Sequence, residues 1–193
     1  MDISLQNNGE GSTTIHPLKF ALWISLASIS MMFAGFMSAY MVRQAAGNWF
    51  EFSLPSYFLA STLVILASSL TAHFTVVSFR KTREVYYKVG LGVTFLLGIV
   101  FVVLQYQGWL AMQSSGIDLK GNPSGAFVYL ISGVHVAHVL AGLAAWTMAL
   151  VQGFGLKFRP TYKRINRLEI TAQYWHYVDL LWVVLFLFLT YYR

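Results

Sequence analysis

Five long apolar stretches divide the chain, near 18–42, 56–79, 88–112, 125–154 and 170–192, with short polar or charged connections between them. Each is about the length a helix needs to cross roughly 30 Å of hydrocarbon. Irregular backbone cannot face lipid, so five such crossings predict five helices packed together: an all-α integral membrane bundle, one domain over residues 1–193. The fourth stretch contains Gly133, Gly142, Gly153 and Gly155, and its crossing is expected to be shorter than the apolar run. Residues 1–17 form a polar tail with Asp2 and Glu10; it lacks the basic start and small-residue cleavage site of a signal peptide and is read as retained.

Composition removes several function classes. Of 193 residues, 57% are hydrophobic and 10% charged, which no ordinary soluble domain combines. Cysteine is absent, so disulfides, thiolate metal sites and cysteine nucleophiles are excluded. The formal net charge of +6 reports orientation before it reports partners, and no nucleic-acid partner is implied.

Lysine and arginine are distributed unevenly over the connections. Arg80, Lys81, Arg83 and Lys88 follow the second stretch, and Lys157, Arg159, Lys163, Arg164 and Arg167 follow the fourth; only Arg43 and Lys120 follow the first and third. The positive-inside rule puts the richer loops in the cytoplasm, with the amino terminus and Lys19 inside and Arg193 outside. His16, Lys19 and Arg80 then share the inner edge, where they could surround an anionic lipid headgroup if the first two helices are neighbours.

Polar residues inside the apolar runs carry the candidate chemistry. In the last stretch, Glu169 precedes Tyr174-Trp175-His176-Tyr177-Val178-Asp179, with Trp182 three residues on. A carboxylate within a membrane helix carries a penalty of roughly 2.5–3.5 kcal/mol near its centre, so Asp179 should face protein. Its expected partners are His176 on its own face, or His135 or His138 across the bundle, a bond that would lock the last two helices together. Trp175, Asp179 and Trp182 stand four and three residues apart and make one stripe. His135 and His138 also share a face, but two imidazoles with no thiolate or carboxylate beside them are too few for a metal, and packing is the favoured role. Ser68, Ser69 and Thr71 are read as bonding their own helix or a neighbour, and His73 as a satisfied interhelical donor. Ala27-Ser28, Ala34-Gly35 and Ser38-Ala39 mark a packing face on the first helix.

The run from Tyr174 to Asp179 and Trp182 resembles the last helix of subunit III of the haem–copper respiratory oxidases. The glycine-flanked His135 and His138 pair, Glu169, and the first-helix segment from Leu26 to Tyr40 are similar to the five-helix form of that family. The sequence departs from it where Ile29 replaces a frequent buried glutamate, Gly108 an acidic residue before Trp109, and Val136 a glycine between the histidines. Family roles attached to those residues do not carry over.

The resemblance implies a subunit with no catalytic, cofactor or metal site of its own. It would stabilise a catalytic subunit I that holds the haems and copper, with subunit II and a fourth subunit or respiratory supercomplex as further partners, and would bind membrane phospholipid. A proton-pumping cytochrome c oxidase of the bacterial cytoplasmic membrane is the leading expectation. A quinol oxidase subunit III, a nitric oxide reductase accessory subunit and, last, a small transporter remain as alternatives. The transporter class predicts broken helices and paired repeats, which this sequence lacks.

Overall fold

A computed structural model describes residues 17–47, 49–119, 121–159 and 161–192. Its five helices are α1 (Pro17–Ala45), α2 (Ser56–Arg80), α3 (Glu84–Ser114), α4 (Pro123–Gly155) and α5 (Tyr162–Tyr191). No strand occurs among the described residues, and all five helices are long and apolar enough to cross a membrane. His16, Lys120 and Arg193 lie outside the described residues.

The apolar pattern located four of the helix starts to within a few residues and missed the fifth. α5 begins at Tyr162, eight residues before the expected 170, because Lys163, Arg164, Arg167 and Glu169 are good helix formers that continue the helix beyond the apolar run. α4 is the longest helix at 33 residues, helical through the whole apolar stretch including Gly133, Gly142 and Gly153. At 1.5 Å per residue it measures about 50 Å, well beyond the hydrocarbon thickness. Its start is fixed by Asn122, whose Oδ1 accepts from Ser124 N at 2.9 Å, with Pro123 in the first turn.

α2 and α3 form the closest pair. Their hairpin turns at Thr82, which takes a left-handed backbone (φ 55), and three backbone bonds close it: Lys81 N to Val77 O, Thr82 N to Phe79 O and Arg83 N to Ser78 O. Thr71 meets Thr94 hydroxyl to hydroxyl at 2.9 Å, and Gln105 Nε2 donates to Ser61 Oγ at 2.8 Å. In hydrocarbon such interhelical bonds contribute about 0.6 kcal/mol each on average.

α5 stands at the centre, packed against α1, α2 and α4, while α3 closes the bundle between α2 and α4. α1 packs on α4 and α5 alone, and none of its Cα atoms lies within 8 Å of one in α2. The buried face of α1 is carried by Phe33 and Tyr40. The small residues Ala27, Ser28, Ala34, Gly35, Ser38 and Ala39, expected to mark a packing face, are exposed, so the helices of this chain do not pack on them. Aromatic rings fill the gaps against α4 and α5 that small residues would leave open: Phe33 meets His138 at 5.8 Å and Tyr40 meets Phe188 at 5.2 Å between ring centroids.

Candidate functional site

The residues singled out on α5 reach all four other helices. A helix turns 100° per residue, so Tyr174, Trp175, His176 and Tyr177 fan out around the axis rather than lying on one face. Tyr174 donates to His138 O on α4 at 3.0 Å. His176 Nδ1 meets Ser69 Oγ on α2 at 2.6 Å. Tyr177 donates to Leu26 O on α1 at 2.9 Å, its hydroxyl also lying 2.6 Å from Ser30 Oγ. Trp175 points inward: its Nε1 donates to Ser68 Oγ on α2 at 2.8 Å, and its ring lies against Gly98 of α3 and Gly142 of α4. A Cβ added at Gly142 would sit 2.8 Å from the indole, so glycine is what lets the ring approach.

Trp182 repeats the arrangement two turns later. Its Nε1 donates to Thr62 Oγ1 at 3.0 Å, its ring stacks on Phe58 and meets Phe101 edge-on, and His135 lies 4.9 Å from it between centroids. Three of these anchor hydroxyls, Thr62, Ser68 and Ser69, line the α2 face that meets α5. Ser68 and Ser69, expected to bond their own helix or a neighbour, bond the neighbour α5; Thr62 carries no expectation, though its spacing of seven residues from Ser69 puts it on the same helical face.

Asp179 is buried, 2% exposed, but neither carboxylate oxygen has a hydrogen-bond partner. The expected bond to a histidine is not made. His176 is taken by Ser69, which is the polar neighbour of Asp179 as well. His138 Nδ1 bonds Val134 O of its own helix at 2.8 Å, and His135, fully buried among Phe33, Phe101 and Trp182, has both ring nitrogens unpartnered. The reason is angular: Asp179 sits one turn from Trp175 on the flank of α5 that turns toward α2, away from α4. The lock between α4 and α5 is the Tyr174 bond and the Trp175–Gly142 contact. His135 and His138 face Phe33 together, and no group of three or more histidine or acidic side chains able to hold a metal occurs among the described residues.

Glu169 gathers the charges at one end of the bundle. Arg80 of α2 donates to Glu169 Oε1 through Nε at 3.1 Å and Nη2 at 2.6 Å, and Lys19 Nζ of α1 lies 3.6 Å from Oε2. Lys19 and Arg80 are thus brought together without α1 and α2 being neighbours, through a carboxylate on the helix between them. His73, expected to be a satisfied interhelical donor, is exposed and makes no hydrogen bond; it meets only the His176 ring, 6.3 Å away between centroids. α2 turns this position outward, past the flank that meets α5.

At the same end, α1, α4 and α5 splay around a cavity of about 610 Å³. Leu22 and Ser25 of α1, Met148 and Ala149 of α4 line its walls, Phe79 and Tyr87 lie at its floor, and Arg164 and Arg167 stand at its rim. Arg164 is engaged with Gln152 O at 2.8 Å and with Lys157 O at 3.1 Å, whereas Arg167 is exposed and makes no such bond.

The fold is a membrane bundle of five helices whose embedded Tyr174, Trp175, His176 and Tyr177 bond to neighbouring helices. A sequence model of the cytochrome c oxidase subunit III family matches residues 2–193, and the chain belongs to that family. It is 32% identical over 171 residues to the probable cytochrome c oxidase subunit 3 of Mycobacterium tuberculosis, covering 86% of this chain and 82% of the relative. It is 29% identical over 172 residues to cytochrome c oxidase subunit 3 of Corynebacterium diphtheriae, with 85% and 82% covered. Cytochrome bo(3) ubiquinol oxidase subunit 3 of Pseudomonas aeruginosa is 27% identical over 172 residues, with 86% and 81% covered. The protein is a multi-pass membrane subunit of a haem–copper oxidase complex.

Proposed function

We propose that this chain is the non-catalytic scaffold subunit of a cytochrome c oxidase, holding a rigid five-helix block against the catalytic subunit that carries the haems and copper. The observation that carries this reading is the use made of the α5 motif. Tyr174, Trp175, His176 and Tyr177 each reach a neighbouring helix, so the embedded polar groups most open to a catalytic interpretation hold the bundle together. No group of three or more metal-ligating side chains occurs among the described residues, and where a hydroxyl does meet a histidine, Ser69 with His176, the contact joins α2 to α5. Subunit II, a fourth subunit and a respiratory supercomplex are the further partners this reading carries. The similarity to a ubiquinol oxidase subunit keeps quinol as the second choice of electron donor.

The excess of lysine and arginine in the α2–α3 and α4–α5 connections supports a cytoplasmic position for those loops and for Lys19, in the cytoplasmic membrane of a bacterium. Phospholipid binding belongs to the same reading. Lys19 and Arg80 share Glu169, and His16 lies outside the described residues, so the site that best fits an anionic headgroup is the cavity between α1, α4 and α5, with apolar walls for acyl chains and the uncommitted Arg167 at its rim.

A visible spectrum and subunit analysis of the detergent-extracted native complex test the proposal. Haem bands with two larger co-purifying subunits support it, and reduced cytochrome c consumed faster than quinol decides the donor. A colourless homo-oligomer would refute it.

A further inference from the structure

α5 exposes one arc of its surface along its length, and that arc lies between two helices that do not touch. Gln173, Leu180, Val184 and Leu187 are exposed on it, with His176 on the flank toward α2 and Tyr177 on the flank toward α1. α1 and α2 pack on either side of α5 but not on each other, so the arc is the floor of a groove. On the α1 side, the helical line through Lys19 and Ser30, which meet Glu169 and Tyr177 of α5, brings the exposed Ala27 and Ala34 to the groove wall. On the α2 side, Leu66 and His73 are the exposed residues next to Ser69, which contacts α5. Glu169, bound to Arg80 and Lys19, bridges the walls at one end.

Two independent features of this groove favour a helix over lipid. The first is chemical. His73 and Gln173 are exposed within membrane-length helices and make no hydrogen bond among the described residues; lipid tails offer them no partner, whereas polar side chains of a neighbouring helix do. The second is steric: the α1 wall presents alanines at 27 and 34, two turns apart, where close approach of a helix backbone is easiest, and no helix of this chain uses them.

We propose that the α1–α5–α2 groove is the seat of a transmembrane helix of the oxidase's catalytic subunit, which packs on Ala27 and Ala34 and hydrogen-bonds His73 and Gln173. The proposal rests on the subunit reading above and names its contact face. The occupant is a helix with hydrogen-bonding side chains in the half of the membrane nearer Glu169. The opposite α3–α4 surface, with Val103 and Leu140 exposed, presents an apolar face suited to lipid.

The absence of cysteine makes the test clean. Single cysteines at Ala27, Leu66 and Leu180 in the groove, and at Val103 and Leu140 as controls, are labelled with a photoactivatable maleimide in native membranes that contain the whole complex. Illumination should attach the haem-bearing subunit to the groove positions and not to the controls. Capture of that subunit from the controls alone would overturn the proposal while leaving the subunit reading intact. Groove adducts with phospholipid only or with a second copy of this chain, or no groove adduct at all, would also overturn it. Absence of a haem-bearing subunit from the purified complex would instead defeat the underlying reading. As a second measure, the double variant His73→Leu/Gln173→Leu should retain the catalytic subunit roughly eightfold less tightly on detergent washing, the average effect of losing two interhelical membrane hydrogen bonds. Its own five-helix fold should be unchanged, since neither side chain is bonded within the chain. Unchanged retention would count against the two polar contacts.

Discussion

The indole N–H of Trp175 donates to Ser68 Oγ at 2.8 Å while the same ring presses on Gly142 from the opposite side. One side chain therefore ties α2, α4 and α5, and Gly98 brings α3 to the same ring. In a membrane no hydrophobic force drives helices together, so close packing of this kind and a few interhelical hydrogen bonds are what hold the bundle.

Gly142→Ala should expose this dependence. The added methyl would sit 2.8 Å from the ring, and overpacking a well-filled core typically costs about 1–3 kcal/mol, more than the roughly 1 kcal/mol of helix propensity gained. Gly133→Ala on the same helix meets nothing within 4 Å and should be neutral or stabilising. Thermal unfolding of the two purified variants should move in opposite directions. Equal shifts would mean that the Trp175 ring has room to move.

The charged clamp predicts a salt-sensitive contribution. Glu169→Gln keeps the shape but removes the charge that Arg80 and Lys19 share, and partly exposed pairs of this kind are worth about 0.2–1 kcal/mol each. The variant should lose up to about 2 kcal/mol at low ionic strength, and most of the difference from the parent should vanish at high salt. A salt-independent loss would assign Glu169 a packing role.

Hydropathy made the number of helices legible because hydrocarbon thickness imposes it on each apolar run. The α5 motif was legible as a unit because Trp, His and Asp are costly in a membrane helix unless something receives them. What receives each one was not legible. That depends on how α5 is rotated, and the rotation is set by Trp175 wedging between Gly98 and Gly142, residues 44 apart in sequence whose pairing no local pattern encodes. The same blindness misplaced the small residues of α1, since periodicity shows that a face exists and not which neighbour it serves. It also gave no sign that Glu169, placed between α1 and α2, is the link between Lys19 and Arg80.

The cavity beside α1 predicts a retained lipid. Arg167→Ala should lower tightly bound anionic phospholipid in the purified complex, measured by mass spectrometry after delipidating washes, with Arg80→Ala having the smaller effect because Glu169 already engages Arg80. Unchanged lipid content in the Arg167 variant, or a greater loss from Arg80→Ala, would move the headgroup site back to the clamp.

Orientation is checked at the carboxyl terminus. Of the thirteen lysines and arginines, ten lie at the α2–α3, α4–α5 and Lys19 end, and a reporter fused after Arg193 should report the outside of the membrane. Activity of a reporter that works only in the cytoplasm would contradict the orientation.

Asp179 gives the sharpest prediction, because its surroundings reverse the usual expectation for an acid inside a membrane helix. Removing one member of a buried charged pair typically costs about 3–5 kcal/mol. Here there is no charged partner: both carboxylate oxygens are buried without a hydrogen bond of good geometry, and the polar neighbour is the Ser69 hydroxyl, which also meets His176 Nδ1. A buried polar group without partners is itself a cost of about 1–3 kcal/mol. Asp179→Leu should therefore raise the thermal midpoint of the subunit or leave it unchanged, and Asp179→Asn, which keeps a polar group in the same apolar setting, should gain less. Ser69→Ala, by contrast, deprives His176 of its bond and should destabilise by about 1 kcal/mol. If Asp179→Leu instead unfolds the subunit or strips it from the oxidase, the carboxylate has a partner in the assembled complex, contributed by water or by the neighbouring subunit, and the acid is an assembly contact rather than an unpaired charge.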